Sequence, residues 1–290
     1  MSTPNASPFL RALERLAPFP AIQTSFRAIC EPLVAQETLS VLLSGSIAAG
    51  SLDELSDIDL EVIVHDPARV ASVRAEIDKS VRALGPLLAH FPATHLGLPD
   101  LLIYFLQKNG SVVKVDAWTA DLSVVARLGD AQILHDPGGA VAAERARVSA
   151  APAPPPVDYD DLHNKFVGWM WFTMVKVERG HLFEAIESID FMRSYALMPF
   201  VHLISSTPPH GYRHLEDRVS PALAKALRAT VAARHDAAEV TRAFWSLVEL
   251  FRSVQPEVEA RLGRPLHGGA TSQMSEFVRR IQRAQRIQPE

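Results

Sequence analysis

The residues most able to do chemistry lie in Leu43–Val64, LSGSIAAGSLDELSDIDLEVIV. An apolar run, LSVLL (39–43), ends in Ser44-Gly45-Ser46. Glycine lets the backbone turn tightly and approach a ligand closely, and Ser46 adds a hydroxyl where a helix can open. The start of a helix presents unpaired N–H groups and the positive end of its dipole, which suits a triphosphate. Asp57 follows eleven residues after Ser46, and Asp59 two later. On a strand that spacing points both carboxylates to the same side. Two like charges held together repel unless a cation lies between them. Magnesium takes hard oxygen ligands, usually one or two carboxylates plus substrate phosphates. A phosphate cradle and a metal clamp are thus expected at one point.

These elements need a scaffold. The chain has 290 residues, enough for two domains. Helices are expected at 7–16 and 21–36, the second disturbed at Pro32, strands at 39–43 and 58–64, and a helix at 67–84. In the second strand Ile58, Leu60, Val62 and Val64 share one face, and Asp57, Asp59 and Glu61 the other. Glu61 reads as a solvated acid. LLIYFL (101–106) and SVVKVDAW (111–118) read as strands around the turn Lys108-Asn109-Gly110, a hairpin signal. Strands mixed with helices indicate an α/β or α+β domain. Ala150-Ala-Pro-Ala-Pro-Pro-Pro156 reads as a stiff extended linker, because proline fixes φ and lacks a donor. Beyond it no strand pattern remains. Helices are expected at 160–179 (stopped by Gly180), 182–204, 220–234, 237–253 and 271–286, giving an all-α bundle. The expected division is 1–150, a linker at 151–158, and a helical domain at 159–290.

The glycine-serine element and Ser56-Asp57-Ile58-Asp59-Leu60 resemble the signature of the DNA polymerase β-type nucleotidyltransferase superfamily: Gly-Ser, about ten residues, then Ser-Asp-x-Asp-apolar. Gly50 stands in the connecting turn. Many members carry an arginine just before that glycine, where this chain has Ala49. The resemblance covers some 20 residues. It implies a catalytic domain with a mixed sheet, nucleotide contacts from Gly45, Ser46 and Ser56, and a third carboxylate on a neighbouring strand. Asp116 is the best candidate, since aspartate is depleted in strands and needs a reason to be in one. Lys114 and Trp118 share its face. The alternative is an acid on an edge strand. Asp100 and Asp121 are weaker candidates.

The implied reaction uses Mg²⁺, two ions held by Asp57, Asp59 and Asp116, and a nucleoside triphosphate, ATP by default. A nucleoside monophosphate passes to a hydroxyl and pyrophosphate leaves. Asp116 is a candidate base, with Glu61 and Glu184 as alternatives. Arg179-Gly180-His181-Leu182-Phe183-Glu184-Ala185 resembles a pattern in the helical domain of bacterial aminoglycoside and lincosamide nucleotidyltransferases, which favours a small hydroxylated acceptor. A protein or RNA acceptor, as in toxin-antitoxin relatives, and a non-catalytic nucleotide-binding module are the other readings.

In the second half Lys165, Phe172, Lys176 and Arg179 fall within about 60° of one another on a helix. This face suits a triphosphate or base, or is a solvated face with extended lysine stems. Trp169, Met170, Trp171 and Met174 are expected in the core. His210 and His214 stand four apart, but in loop-like sequence without an obvious third metal ligand. Basic residues at 279, 280, 283 and 286 read as a solvated terminal helix.

Composition bounds the remaining options. The net charge is -4, and nucleic-acid binders usually present a basic face. Residues 1–158 carry 12 Lys+Arg against 18 Asp+Glu, a balance of -6; the rest carry 17 against 15, a balance of +2. No run of about 18 apolar residues indicates a membrane helix, and the N-terminus lacks the pattern of a secretory signal. The single cysteine, Cys30, forms no internal disulfide and reads as core. A cytoplasmic setting is expected, and no oligomeric state follows from the sequence.

Overall fold

The structure is a computed structural model that describes residues 7–149, 157–207, 211–266 and 269–285. The proline-rich run at 150–156, His210 and Arg286 lie outside the described residues. The chain divides into two compact units, Met1–Ala153 and Pro154–Glu290.

In the first unit α1 (Pro8–Arg15) and α2 (Pro20–Val34) precede β1 (Leu39–Leu43), a one-turn α3 (Gly45–Ala49) and β2 (Ile58–Val64). Then come α4 (Val70–Arg82), β3 (Leu87–Ala93), β4 (Leu98–Lys108), β5 (Ser111–Asp121), β6 (Gln132–His135) and α5 (Ala140–Ser149). The six strands form one sheet in the order β3-β4-β5-β2-β1-β6. β2 and β5 run parallel and the other neighbours antiparallel, so the sheet is mixed. β5 is therefore a central strand, and Asp116 is no edge residue.

Alternation gives the sheet two different faces. Leu39, Val41, Leu43, Leu60, Val62, Val64, Val113 and Val115 point to the side packed by α1, α2 and α4, where Phe26, Ile29 and Val73 complete the main core. Cys30 is fully buried there, as expected. The opposite side carries a smaller cluster, Leu42, Ile63, Val125, Leu128 and Val141, with Trp118 beside it. That cluster covers only part of this face. Asp59, Glu61, Lys114 and Asp116 occupy the rest of the same side of β2 and β5.

β3 and β6 were not expected, and both are edge strands. β3 exposes most of its side chains and contains Pro92, which cannot donate to a ladder. β6 has four residues.

The second unit is helical: α6 (Tyr159–Glu178), α7 (Leu182–Phe191), α8 (Met198–Ser205), α9 (Leu215–Arg218), α10 (Pro221–Ala229), α11 (Ala237–Leu262) and α12 (Ala270–Gln285). Asp158 caps α6 by accepting from the Asp161 N–H at 2.9 Å, and Gly180 ends it at φ +73°. Phe166 and Phe251 stack at 3.7 Å between ring centroids, joining α6 to α11 in the core. The continuous helix expected at 182–204 is split by a π-helical segment, Met192–Leu197, just before Pro199. A proline ring crowds the preceding turn and supplies no N–H, and a wider turn accommodates both effects. α11 runs through Pro256 to Leu262, beyond the expected stop at 253. α10 ends at Ala229, five residues before the expected stop. Met170 and Met174 are buried, whereas Trp171 is 44% exposed and lies outside the core. No helix among the described residues is long and apolar enough to cross a membrane.

Candidate active site

The site begins where β1 ends. The Ser44 N–H donates to the Asp59 carbonyl at 3.0 Å, continuing the β1–β2 pairing up to the turn. Gly45 then adopts φ +65°, and a Cβ placed there would stand 1.9 Å from Asp59 Oδ2. Only glycine fits: the left-handed backbone disfavours other residues, and the missing side chain is the space filled by the Asp59 carboxylate. Ser46 opens α3. Its hydroxyl is buried and has no hydrogen-bond partner among the described residues. The helix that follows is a single turn.

β5 brings the third carboxylate. In the parallel register Asp116 lies opposite Asp59. Asp57, Asp59 and Asp116 each offer an oxygen, and these oxygens lie within 4.8 Å of one another. Asp116 is largely buried, and its Oδ1 has no hydrogen-bond partner among the described residues. Burial raises its pKa, the Lys114 hydrogen bond and charge oppose the rise, and the Asp57 charge adds to it. Three close carboxylates, an orphaned buried oxygen and hard donor atoms match what a magnesium-type ion requires. The residues fit the group.

Lys114 was placed on the face of Asp116 but given no task. Its Nζ lies 2.6 Å from Asp57 Oδ2 and 2.8 Å from Asp116 Oδ2, bridging the two. Burial alone would lower the lysine pKa, but the two carboxylates outweigh it and hold the pKa above the ordinary value. The signal was present in the sequence, since a residue two positions before a strand aspartate shares its face.

Glu61 departs from the solvated acid expected. It is 9% exposed and accepts a hydrogen bond from the Ser44 hydroxyl. Burial pushes its pKa up to about 7. The Ser44 hydrogen bond resists this, and the nearby Asp59 charge assists it. The other acids have structural tasks. Asp100 pairs with Arg74 at 2.8 Å, and Asp121 accepts from the Ser123 N–H at 2.8 Å, capping a 3₁₀ turn. Ser56 bonds Asp53 Oδ1 and accepts from the Asp53 N–H, both at 3.0 Å, which shapes the turn leading into Asp57.

A second polar cluster had no counterpart in the sequence reading. The Ser40 hydroxyl donates to Asp136 Oδ1 at 2.7 Å and lies 2.9 Å from His65 Nε2. Asp136 also accepts from the Val141 and Ala142 N–H groups. Here the serine donates to the aspartate directly and is fully buried, so the cluster ties β1 to the start of α5 and offers no exposed nucleophile.

In the helical unit, Lys165 pairs with Asp161 at 2.6 Å and its Nζ stands 5.2 Å from the Tyr195 ring centroid. Lys176 forms an ion pair with Glu184. Arg179 and Phe172 are exposed, Phe172 at 60%. Lys176, Glu184, Phe172, Trp169, Glu187 and Phe191 line an open cleft of about 490 Å³. His214 sits in left-handed backbone at the start of α9, with no metal cluster around it among the described residues. Arg279 and Arg280, expected on a solvated helix, lie over the rings of Trp245 and Phe277.

The chain is similar in structure to an aminoglycoside 6-adenyltransferase from Bacillus subtilis. The two share 14% sequence identity, the match covers 88% of this chain and 96% of that one, and the TM-score is 0.44. No protein-family model and no curated protein matches the chain in sequence. A likeness this distant transfers no residue role, and the site rests on its own geometry.

Proposed function

We propose that the protein is a magnesium-dependent nucleotidyltransferase. It transfers a nucleoside monophosphate, AMP from ATP, to a hydroxyl of a small molecule of the aminoglycoside or lincosamide kind and releases pyrophosphate. The observation that carries this reading is the convergence of Asp57, Asp59 and Asp116, with oxygens within 4.8 Å, beside a glycine whose missing side chain makes room for Asp59. The Gly45-Ser46 and Ser56-Asp57-Ile58-Asp59-Leu60 signature, which resembles the nucleotidyltransferase superfamily, supplies the reaction class.

Asp57, Asp59 and Asp116 would hold the metal. When bound, magnesium neutralises charge on the triphosphate and polarises the phosphorus under attack. The residues of the chain do the rest. Gly45 leaves the space that the Asp59 carboxylate fills, and Ser46 is assigned to the nucleotide in this reading. Ser56 holds the turn that aims Asp57. Asp116 is assigned to accept the proton of the attacking hydroxyl, as a carboxylate placed beside the reacting groups can. The new bond joins the acceptor oxygen to the α-phosphorus, and the bond to the pyrophosphate oxygen breaks. Lys165, Lys176 and Arg179 are assigned to the nucleotide in this reading, and the acidic first half of the chain to the steering of a cationic acceptor. The catalytic domain is taken as 1–150, the linker as 151–158 and the helical domain as 159–290, in a cytoplasmic protein.

The test is pyrophosphate release from each nucleoside triphosphate with Mg²⁺, across a panel of aminoglycosides and lincosamides, with Asp57→Asn alongside. The expected result is release that needs metal and one acceptor and is lost in the variant. Nucleotide binding without release for any small acceptor would redirect the search to a protein or RNA acceptor. Absence of nucleotide binding would overturn the reading.

A further inference from the structure

The reading above leaves Lys114 without a role, yet its ammonium stands in the middle of the candidate metal site. It donates to Asp57 Oδ2 at 2.6 Å and to Asp116 Oδ2 at 2.8 Å, two of the three carboxylates that would bind the ion. The pairing is built into the fold. Lys114 precedes Asp116 by two residues on β5 and so shares its face. The parallel register pairs Ile58 with Val115, which sets Lys114 beside the start of β2, where Asp57 stands. Without a positive charge, carboxylates this close on a half-buried sheet face would repel strongly, because charges interact more strongly away from bulk water.

The ammonium and a divalent ion draw on the same carboxylates, so the ion must compete with the positive charge already placed between Asp57 and Asp116. The lysine is also suited to leaving. It is a point charge on a flexible four-carbon stem, without the rigid fork that locks an arginine onto a carboxylate. Its side chain is 31% exposed, so it already has a route to solvent.

We propose that Lys114 is an internal counter-cation: its ammonium holds Asp57 and Asp116 together in the metal-free protein and is displaced when a divalent ion binds. This rests on the metal-site reading above and deepens it. The lysine then does two things. It stabilises the metal-free triad, and it weakens metal binding, because the ion must compete with it. Metal occupancy thereby follows the ambient ion concentration instead of being permanent.

The test uses Mn²⁺ alone as the probe, titrated by calorimetry into the full-length wild type, Lys114→Met and Asp57→Asn. Methionine keeps the apolar stem and removes the charge. Lys114→Met should bind Mn²⁺ at least about tenfold more tightly than wild type. In EDTA it should melt below wild type, with the gap closing as Mn²⁺ is added. A measurement on the unaltered protein guards against a variant that fails to fold. The rate of amine acetylation at Lys114, read by peptide mass spectrometry, should rise when Mn²⁺ is added. Equal or weaker Mn²⁺ binding by Lys114→Met, or an acetylation rate indifferent to Mn²⁺, would overturn the counter-cation while leaving the metal site standing. Failure of wild type and Lys114→Met alike to bind Mn²⁺ would overturn both readings.

Discussion

At the residue scale the site depends on a few close approaches. Gly45 is the most constrained. Alanine there would carry left-handed backbone, at a cost of about 1–2 kcal/mol, and its Cβ would meet Asp59 Oδ2 at 1.9 Å unless something moved. Gly45→Ala is therefore expected to lower the melting temperature and to weaken Mn²⁺ binding more than its stability loss explains, as calorimetry and metal titration on one sample will show. Asp116→Asn keeps the shape and removes both charge and base. Nucleotidyl transfer should fall by at least about a hundredfold, measured as initial rates of pyrophosphate release at saturating metal. Strand alternation put Asp57 and Asp59 on one side, the family resemblance named Asp116, and one oxygen of each lies within 4.8 Å of the others. The bridging by Lys114 and the burial of Glu61 were not legible in the sequence, since each depends on which neighbouring strand or turn closes over the side chain.

At the element scale, central strands were easier to read than edges. Leu39–Leu43 and Ile58–Val64 are buried runs with boundaries as expected, because both their neighbours and their faces demand apolar residues. Leu87–Ala93 and Gln132–His135 pair on one side only, so their sequences are under weaker constraint and left no pattern. Two helices differ from the expected bounds beside a proline. Pro256 did not end its helix, and Pro199 brought a widened turn where unbroken helix was expected. One helix start has a measurable signature. Glu239, in the first turn of α11, accepts from the Ala233 N–H and from Arg242, which hold its pKa at about 2 against an ordinary 4.5. A carboxylate with a depressed pKa stabilises the fold fully above its unfolded value and stops doing so as pH falls through the folded one. Glu239→Gln should therefore melt below wild type at neutral pH. That gap should shrink as the pH is lowered from about 4.5 to about 2, which thermal melts across the range will reveal.

At the scale of the whole molecule the chain carries separate cores. The apolar cluster of the helical unit is built from residues 162–278, and the clusters around the sheet from residues 9–141. Damage to one core should therefore be felt mainly in its own unit. Phe251 is almost fully buried and stacks on Phe166. Phe251→Ala should cost about 3–5 kcal/mol, seen by scanning calorimetry as a lowered transition for the helical unit, with Mn²⁺ affinity at the triad unchanged. The two-part organisation was visible beforehand, because strand periodicity stops in the middle of the sequence and only helical periodicity continues.

The parallel pairing of β2 with β5 also bears on how the protein reaches its native state. The β4–β5 hairpin closes across the two residues Asn109-Gly110, a local event of the kind that forms in microseconds. Asp116 arrives with that hairpin, whereas its register partner Asp59, on β2, lies 57 residues earlier in the chain. Contacts of such separation form late, since the intervening loop must be ordered before they contribute. The three carboxylates meet only when this pairing closes. A chain with every hairpin formed and that one seam open would have most of its secondary structure and no place for an ion. Uptake of Mn²⁺ during refolding thus times the closure of a single strand pair, and should lag the recovery of far-ultraviolet circular dichroism.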